Sequence, residues 1–405
     1  MTTNHLLTAD AVRLAASRMF ENASVNALQC WTINIDAMPA VADLVAAITR
    51  QNYPELAIPF HSRWRHFSVG GLDRWVKLQS SWHGISTRER ARRAFDLVIP
   101  SVLTDAGSGG HWSYFDSVTG KSFTSSEGLA LASFDLYQNA IAINPADALQ
   151  ADWLQELSES TFAQAFQVGG SNPLAGVAGR VQLLQSLGRV CHAKPEIFAA
   201  HGKARPGGLV DAIFAASRDG TISAPEILAM LLEALGPIWP SRLTLNGTPL
   251  GDSWSYPPWR KGAALDESCI VPFHKLSQWM TFSLIEPLET AGLKVQNLDR
   301  LTGLAEYRNG GLFVDGNVLK LKDNAMFALS HRPDSLLVIE WRALTVALLD
   351  RLRPMVAARL GIPEGQFPLP CLLEGGTWAA GRYLAQSART DRSSPINVIT
   401  DGTVF

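Results

Sequence analysis

Phe273-His-Lys-Leu-Ser-Gln-Trp-Met-Thr-Phe-Ser-Leu-Ile-Glu-Pro-Leu-Glu-Thr290 reads as a helix, and with residues 339–360 it is one of the two longest in the chain. A proline inside a helix removes a backbone hydrogen bond, so Pro287 is expected to bend or end the first and Pro354 the second. Outward from these two, helical periodicity dominates. Residues 9–22 are amphipathic with Thr8 or Asp10 near the cap, and residues 38–50 follow Asp36 as a cap with Pro39 in the first turn. Further helices are expected over 87–99, 126–140, 179–187, 207–216 and 224–235, with Asn144-Pro145 opening a short acidic one. Ser113-Tyr-Phe-Asp116 and Lys121-Ser-Phe-Thr124 flank a turn and read as a β-hairpin, and weak alternation over 312–321 suggests another small strand pair. Gly169-Gly-Ser-Asn-Pro173 and Ala204-Arg-Pro-Gly-Gly208 read as local turns. No βαβ alternation and no fixed repeat stands out. The expected fold is mainly α: a single globular domain over 1–405 with small peripheral β-hairpins.

Three apolar segments carry embedded charges. His274 and Lys275 interrupt the helix start, Glu306 and Arg308 sit within Leu301-Thr-Gly-Leu-Ala-Glu-Tyr-Arg-Asn-Gly-Gly311, and Glu340 and Arg342 lie in Leu336-Leu-Val-Ile-Glu-Trp-Arg-Ala343. Such groups are costly to bury unless paired, so they form either a structural ion network or a reaction site. A Lys275–Glu306 pair could favour both ionised forms and place an anion near a developing positive charge, or tie two helices together.

Composition narrows the classes. The chain has 405 residues, 47% of them hydrophobic and 18% charged, with a formal net charge of −2. The core is sizeable, and the absence of a basic excess argues against a nucleic-acid partner. Cys30, Cys191, Cys269 and Cys371 are scattered, which suits reduced thiols rather than a disulfide framework or zinc ribbon. No basic-then-apolar leader and no apolar run of membrane-spanning length appears, so no membrane association and a cytoplasmic location are expected.

Two Gly-rich segments could receive a ligand. His61-Ser-Arg-Trp-Arg-His-Phe-Ser-Val-Gly-Gly-Leu-Asp-Arg-Trp75 sets arginines beside Gly70-Gly71, suiting a phosphate or carboxylate, or else forming a capping loop paired with surface acids. Its histidines lack partners at metal-ligand spacing. Asp105-Ala-Gly-Ser-Gly-Gly-His-Trp-Ser-Tyr114 offers Trp112 and Tyr114 to stack on a planar ligand, or to staple a hairpin into the core. Glu374-Gly-Gly-Thr-Trp378 and the terminal Thr400-Asp-Gly-Thr-Val-Phe405 read as structural, the latter tucked into the fold.

Taken together, His66-Phe67, Gly70-Gly71, Asp73-Arg74-Trp75, Ser126-Glu127-Gly128, Val271 to Trp279, Leu301-Thr-Gly-Leu304, Glu306 to Gly311, Val338 to Thr345, Leu373 to Trp378 and Asp401 to Phe405 resemble the uracil catabolism protein 4 family. The likeness runs from about residue 60 to the C-terminus, leaving 1–60 as a less covered helical part. It implies a role in uracil breakdown through a ribosylated urea. A more distant likeness links Phe273-His-Lys-Leu-Ser-Gln278, Leu301 to Arg308, Ile339-Glu-Trp-Arg342 and Trp112 to Leu131 to queuosine salvage N-glycosylases, implying a glycosylase-like helical core. By that likeness Lys275 and Glu306 hold the places of a site lysine and aspartate. Glu306 is one methylene longer than the aspartate and His274 replaces a tyrosine, implying a different substrate.

The reaction so implied is N-ribosidic hydrolysis of a small ribosylated substrate, ribosylurea or its 5-phosphate. Glu306 would be the anion or base and Lys275 its partner, with Arg308, Glu340 and Arg342 holding Glu306 in place. Trp112 and Tyr114 would be pocket walls, Arg63, Arg65 or Arg74 a phosphate contact, and Asp73 and His274 further substrate contacts. No metal or other cofactor is expected, and turnover measured in EDTA should equal turnover without it; loss restored by an added metal would show the histidines to have been misread. The alternatives are another amide or ring hydrolase of uracil degradation and a non-catalytic ligand-binding subunit.

Overall fold

The computed structural model describes residues 3–143, 148–239, 243–262 and 264–399. Asn144-Pro145 and the Thr400–Phe405 tail lie outside the described residues. Helices Lys275–Thr290 and Leu336–Leu360 are apolar nearly all round and buried along most of their length, which makes them core elements. The first packs on Thr87–Leu103, and the second carries the N-terminal helices Ala9–Ser24 and Met38–Asn52. One continuous apolar cluster runs through all of them, from Leu6 to Ile396.

Thr8 caps Ala9–Ser24 by accepting the Ala11 N–H, and Ser335 caps Leu336–Leu360. Pro287 does not end its helix, which continues to Thr290. The carbonyl it leaves unbonded, four residues back at Ser283, accepts instead from Trp64 Nε1 at 2.7 Å. Leu336–Leu360 likewise runs past Pro354 and stops at Gly361, whose φ of 74° suits glycine.

Strands are short and come in pairs. Tyr114–Asp116 and Lys121–Phe123 form the expected hairpin. The strand pair expected over 312–321 is not formed. Residues up to Asp315 complete helix Tyr307–Asp315, and Leu319–Leu321 pairs antiparallel with Trp31–Ile33 from the distant N-terminal part. The Trp31 indole then donates to the Leu337 carbonyl at 2.9 Å. Among the described residues no helix is long and apolar enough to cross a membrane.

The segment 301–306 lies between the two core helices. Gln278 grips it from one side: its amide donates to Thr302 Oγ1 at 2.6 Å and its carbonyl accepts the Thr302 N–H at 2.8 Å. On the other side Gly303 meets Leu336–Leu360 so closely that a Cβ there would stand 2.6 Å from Leu349 Cδ1. Arg342 Nε donates to the Ala305 carbonyl at 3.3 Å.

Candidate functional site

That clamped segment delivers Glu306 to the head of helix Tyr307–Asp315. Its extended backbone ends the strand-like run, and its carboxylate accepts the N–H groups of Arg308 at 2.7 Å and Asn309 at 2.5 Å. These are first-turn donors with no partner inside the helix. The helix is wedged tightly. A Cβ on Gly310 would fall 2.6 Å from the Trp341 ring, and one on Gly381 2.2 Å from the Arg308 carbonyl.

Lys275 begins the other helix, and Asp252 organises that start. The Asp252 carbonyl accepts from Phe273 and His274, and its carboxylate accepts the Lys275 N–H at 3.1 Å. Arg342 binds the same carboxylate through two bonds of 2.8 and 2.7 Å, and Trp254 Nε1 adds a third partner. Arg342 and these donors hold the Asp252 carboxyl well below the usual range despite its burial.

Lys275 and Glu306 line one cavity of about 630 Å³, with Asp105, Trp112, Trp279 and Arg308 also on its wall. That size suits a small organic ligand. Burial pushes the Glu306 carboxyl up, against the pull of its two N–H donors, Lys275 and Arg308. Burial and Arg342 push the Lys275 ammonium down, and Glu306, Asp105 and Asp252 only partly offset this. Both groups are thus drawn toward their neutral forms, whereas simple mutual ionisation was the expectation. A carboxyl raised in this way is better suited to taking up a proton.

A second cavity, of about 820 Å³, adjoins the first and shares Gly107, Tyr307, Asp391, Ser393 and Ser394 with it. Lys275 and Glu306 do not line it, and its Asp315 is spent on two bonds to Arg389.

Several expected contacts are placed elsewhere. Arg63 is wholly buried and bonds Asp105, Ser101 and the Ser126 carbonyl, so it braces the cavity wall from behind. Arg65 pairs with Glu286, Arg74 with Asp116, and Asp73 caps a short helix at Val76; none of the three lines the cavity. Tyr114 donates to Asp135 within the fold and is no cavity wall. His274 also misses the cavity. Buried, with a φ of 49°, it bonds the Leu6 carbonyl at 2.8 Å and ties the N-terminal segment to the helix start. Glu340 does not pair with Arg342 but accepts the Gln29 and Cys30 N–H groups and the Tyr256 hydroxyl. Of the residues expected to hold Glu306, Arg308 does so through its backbone N–H and Arg342 through the Ala305 carbonyl.

Among the cavity residues without a role in the sequence analysis are His61, Asp105, Trp279, Tyr307 and Arg392. Asp105 lay in a segment noticed for its glycines. Trp279 falls four residues after Lys275 and so on the same helical face, a visible signal. Among the described residues no group of three or more His, Cys, Asp and Glu is placed to hold a metal.

A family described as a protein of unknown function (DUF1688) matches residues 5–405. The chain is 37% identical over 416 residues to Protein urg3 of Schizosaccharomyces pombe, spanning 100% of this chain and 99% of that protein. It is 38% identical over 408 residues to Uracil catabolism protein 4 of Lachancea kluyveri, spanning 93% of this chain and 92% of that protein. The match includes the N-terminal helices, so the likeness is not confined to the part after residue 60.

Proposed function

As this chain belongs to the DUF1688 family, that of uracil catabolism protein 4, we propose that it acts in uracil breakdown by hydrolysing an N-ribosidic bond. The observation that carries the chemistry is Glu306: a carboxylate pinned by two backbone N–H groups on the wall of a cavity that also presents Lys275. Cleavage of such a bond builds oxocarbenium character on the sugar. A fixed carboxylate beside the anomeric carbon stabilises that state more than the ground state, and can take a proton from the attacking water. The upward push on the Glu306 carboxyl favours the base role. Lys275 would bond the ribose hydroxyls, and Trp112 and Trp279 would cover the apolar faces of the ligand.

Ribosylurea and its 5-phosphate are the substrates proposed. With Arg63, Arg65 and Arg74 engaged elsewhere, a phosphate would be met by Arg308 and Arg392, which line the cavity. Purified protein incubated with each compound should release free urea, and comparing the two rates gives the phosphate preference. Binding of both without urea release would favour a non-catalytic subunit and overturn the hydrolase reading.

A further inference from the structure

His61 lines the same cavity from the opposite end of the sequence, and Glu374 holds it there. The Glu374 carboxylate meets His61 Nδ1 at 2.8 Å through one oxygen and accepts the Tyr53 hydroxyl at 2.9 Å through the other. Glu374 sits in a π-helical turn, Leu373–Thr377, pressed onto helix Met38–Asn52. A Cβ on Gly376 would stand 2.5 Å from Thr49 Oγ1, so only glycine allows this approach. The imidazole also stacks on Trp279, with ring centroids 5.9 Å apart and planes inclined by 26°. Trp279 shares a helical face with Lys275, so the stack sets His61 beside the lysine's side of the cavity. With the Glu374 carboxylate taking the Nδ1–H, the imidazolium form presents its other N–H, at Nε2, to a ligand. His66, though near, is held by burial and by Arg63 well below the usual histidine range and is a neutral neighbour.

We propose that His61 is the acid that protonates the departing nitrogen, with Glu374 as its positioning residue. This rests on the N-ribosidic reading. An amide-type nitrogen leaves as an anion only at great cost. As the C1′–N bond breaks and its electron pair passes to nitrogen, that pair takes the Nε2 proton and neutral urea departs. Water forms the new C1′–O bond and gives its proton to Glu306. Exchange with solvent then returns one proton to His61 and removes one from Glu306.

The test compares ribosylurea with 4-nitrophenyl riboside, whose leaving group departs without a proton. In His61→Gln, and in His61→Asn as a second shape, turnover of ribosylurea should fall about 10²–10⁴-fold with little change in KM. Cleavage of the nitrophenyl compound should stay within a few-fold of wild type, which a merely structural role would not produce. Glu374→Gln should show the same selectivity with a smaller loss. Equal losses on both compounds, or no loss on either, would overturn the role of His61 alone. A wild-type protein that cleaves neither compound would overturn the N-ribosidic reading, and His61 with it.

Discussion

Glu306→Gln is expected to lower turnover of the proposed reaction about 10²–10³-fold, roughly 2.7–4 kcal/mol of transition-state stabilisation. The shape is kept and the charge is lost. Substrate affinity and thermal midpoint should move far less, because two effects oppose. One oxygen remains to accept a backbone N–H where two accept now, which destabilises. Against this, the variant no longer buries a carboxylate that its surroundings disfavour. The sign of the pH dependence follows from that. A carboxyl raised in the folded state binds its proton more tightly there than in the unfolded chain, so its contribution to stability falls as pH rises from about 4.3 through the raised value. The variant lacks this fall, and its midpoint should therefore gain on wild type over that window. A tie between helices predicts the reverse pattern: near-normal turnover per folded molecule, with stability lowered by several kcal/mol.

Asp252→Ala should cost about 3–5 kcal/mol of folding stability, read as a lower denaturation midpoint in urea. The Arg342 guanidinium is 1% exposed and would lose the carboxylate it binds through two hydrogen bonds. The Lys275 N–H and the Trp254 indole would lose an acceptor at the same time. Asp252→Asn, which keeps the shape, should lose less. The double change Asp252→Leu with Arg342→Met should recover part of the loss, because the residual penalty comes from the buried guanidinium. Since the Asp252 carboxyl is depressed in the folded state, its contribution is present above about 3.9 and lost as pH falls toward the folded value. The alanine variant should accordingly be less sensitive to acid than wild type. A cost below about 1 kcal/mol would class the pair with exposed ion pairs, contrary to its burial.

What could be read from the residues follows the range of the interactions involved. Helix 224–235 was readable because its periodicity and its Ser223–Glu226 capping box are local. The continuation past Pro287 was not, because the indole that takes up the freed carbonyl comes from Trp64. Residues 312–321 misled for a similar reason: the strand at Leu319–Leu321 finds its partner at Trp31–Ile33. At the site, Lys275, Glu306, Arg308 and Trp112 line one cavity. The arginines of the 61–75 segment do not, since each is claimed by an acid far along the chain. His61 carries no local sign of its role, because the carboxylate that holds it lies 313 residues away.

The N-terminal helices close on the far end of the chain, and this sets an order of events during synthesis. Trp31 meets its acceptor 306 residues later, and helix Ala9–Ser24 rests on Leu336–Leu360. At about 5–20 residues per second a ribosome needs roughly 15–60 s to make that interval. Through it the apolar face of Ala9–Ser24, with Val12, Ala16 and Met19, has only part of its native surroundings, first Trp31–Ile33 and later Ile270–Pro272, to cover it. Helix Ala9–Ser24 is made long before the helix it packs on, and its apolar face stays partly open until Leu336–Leu360 emerges.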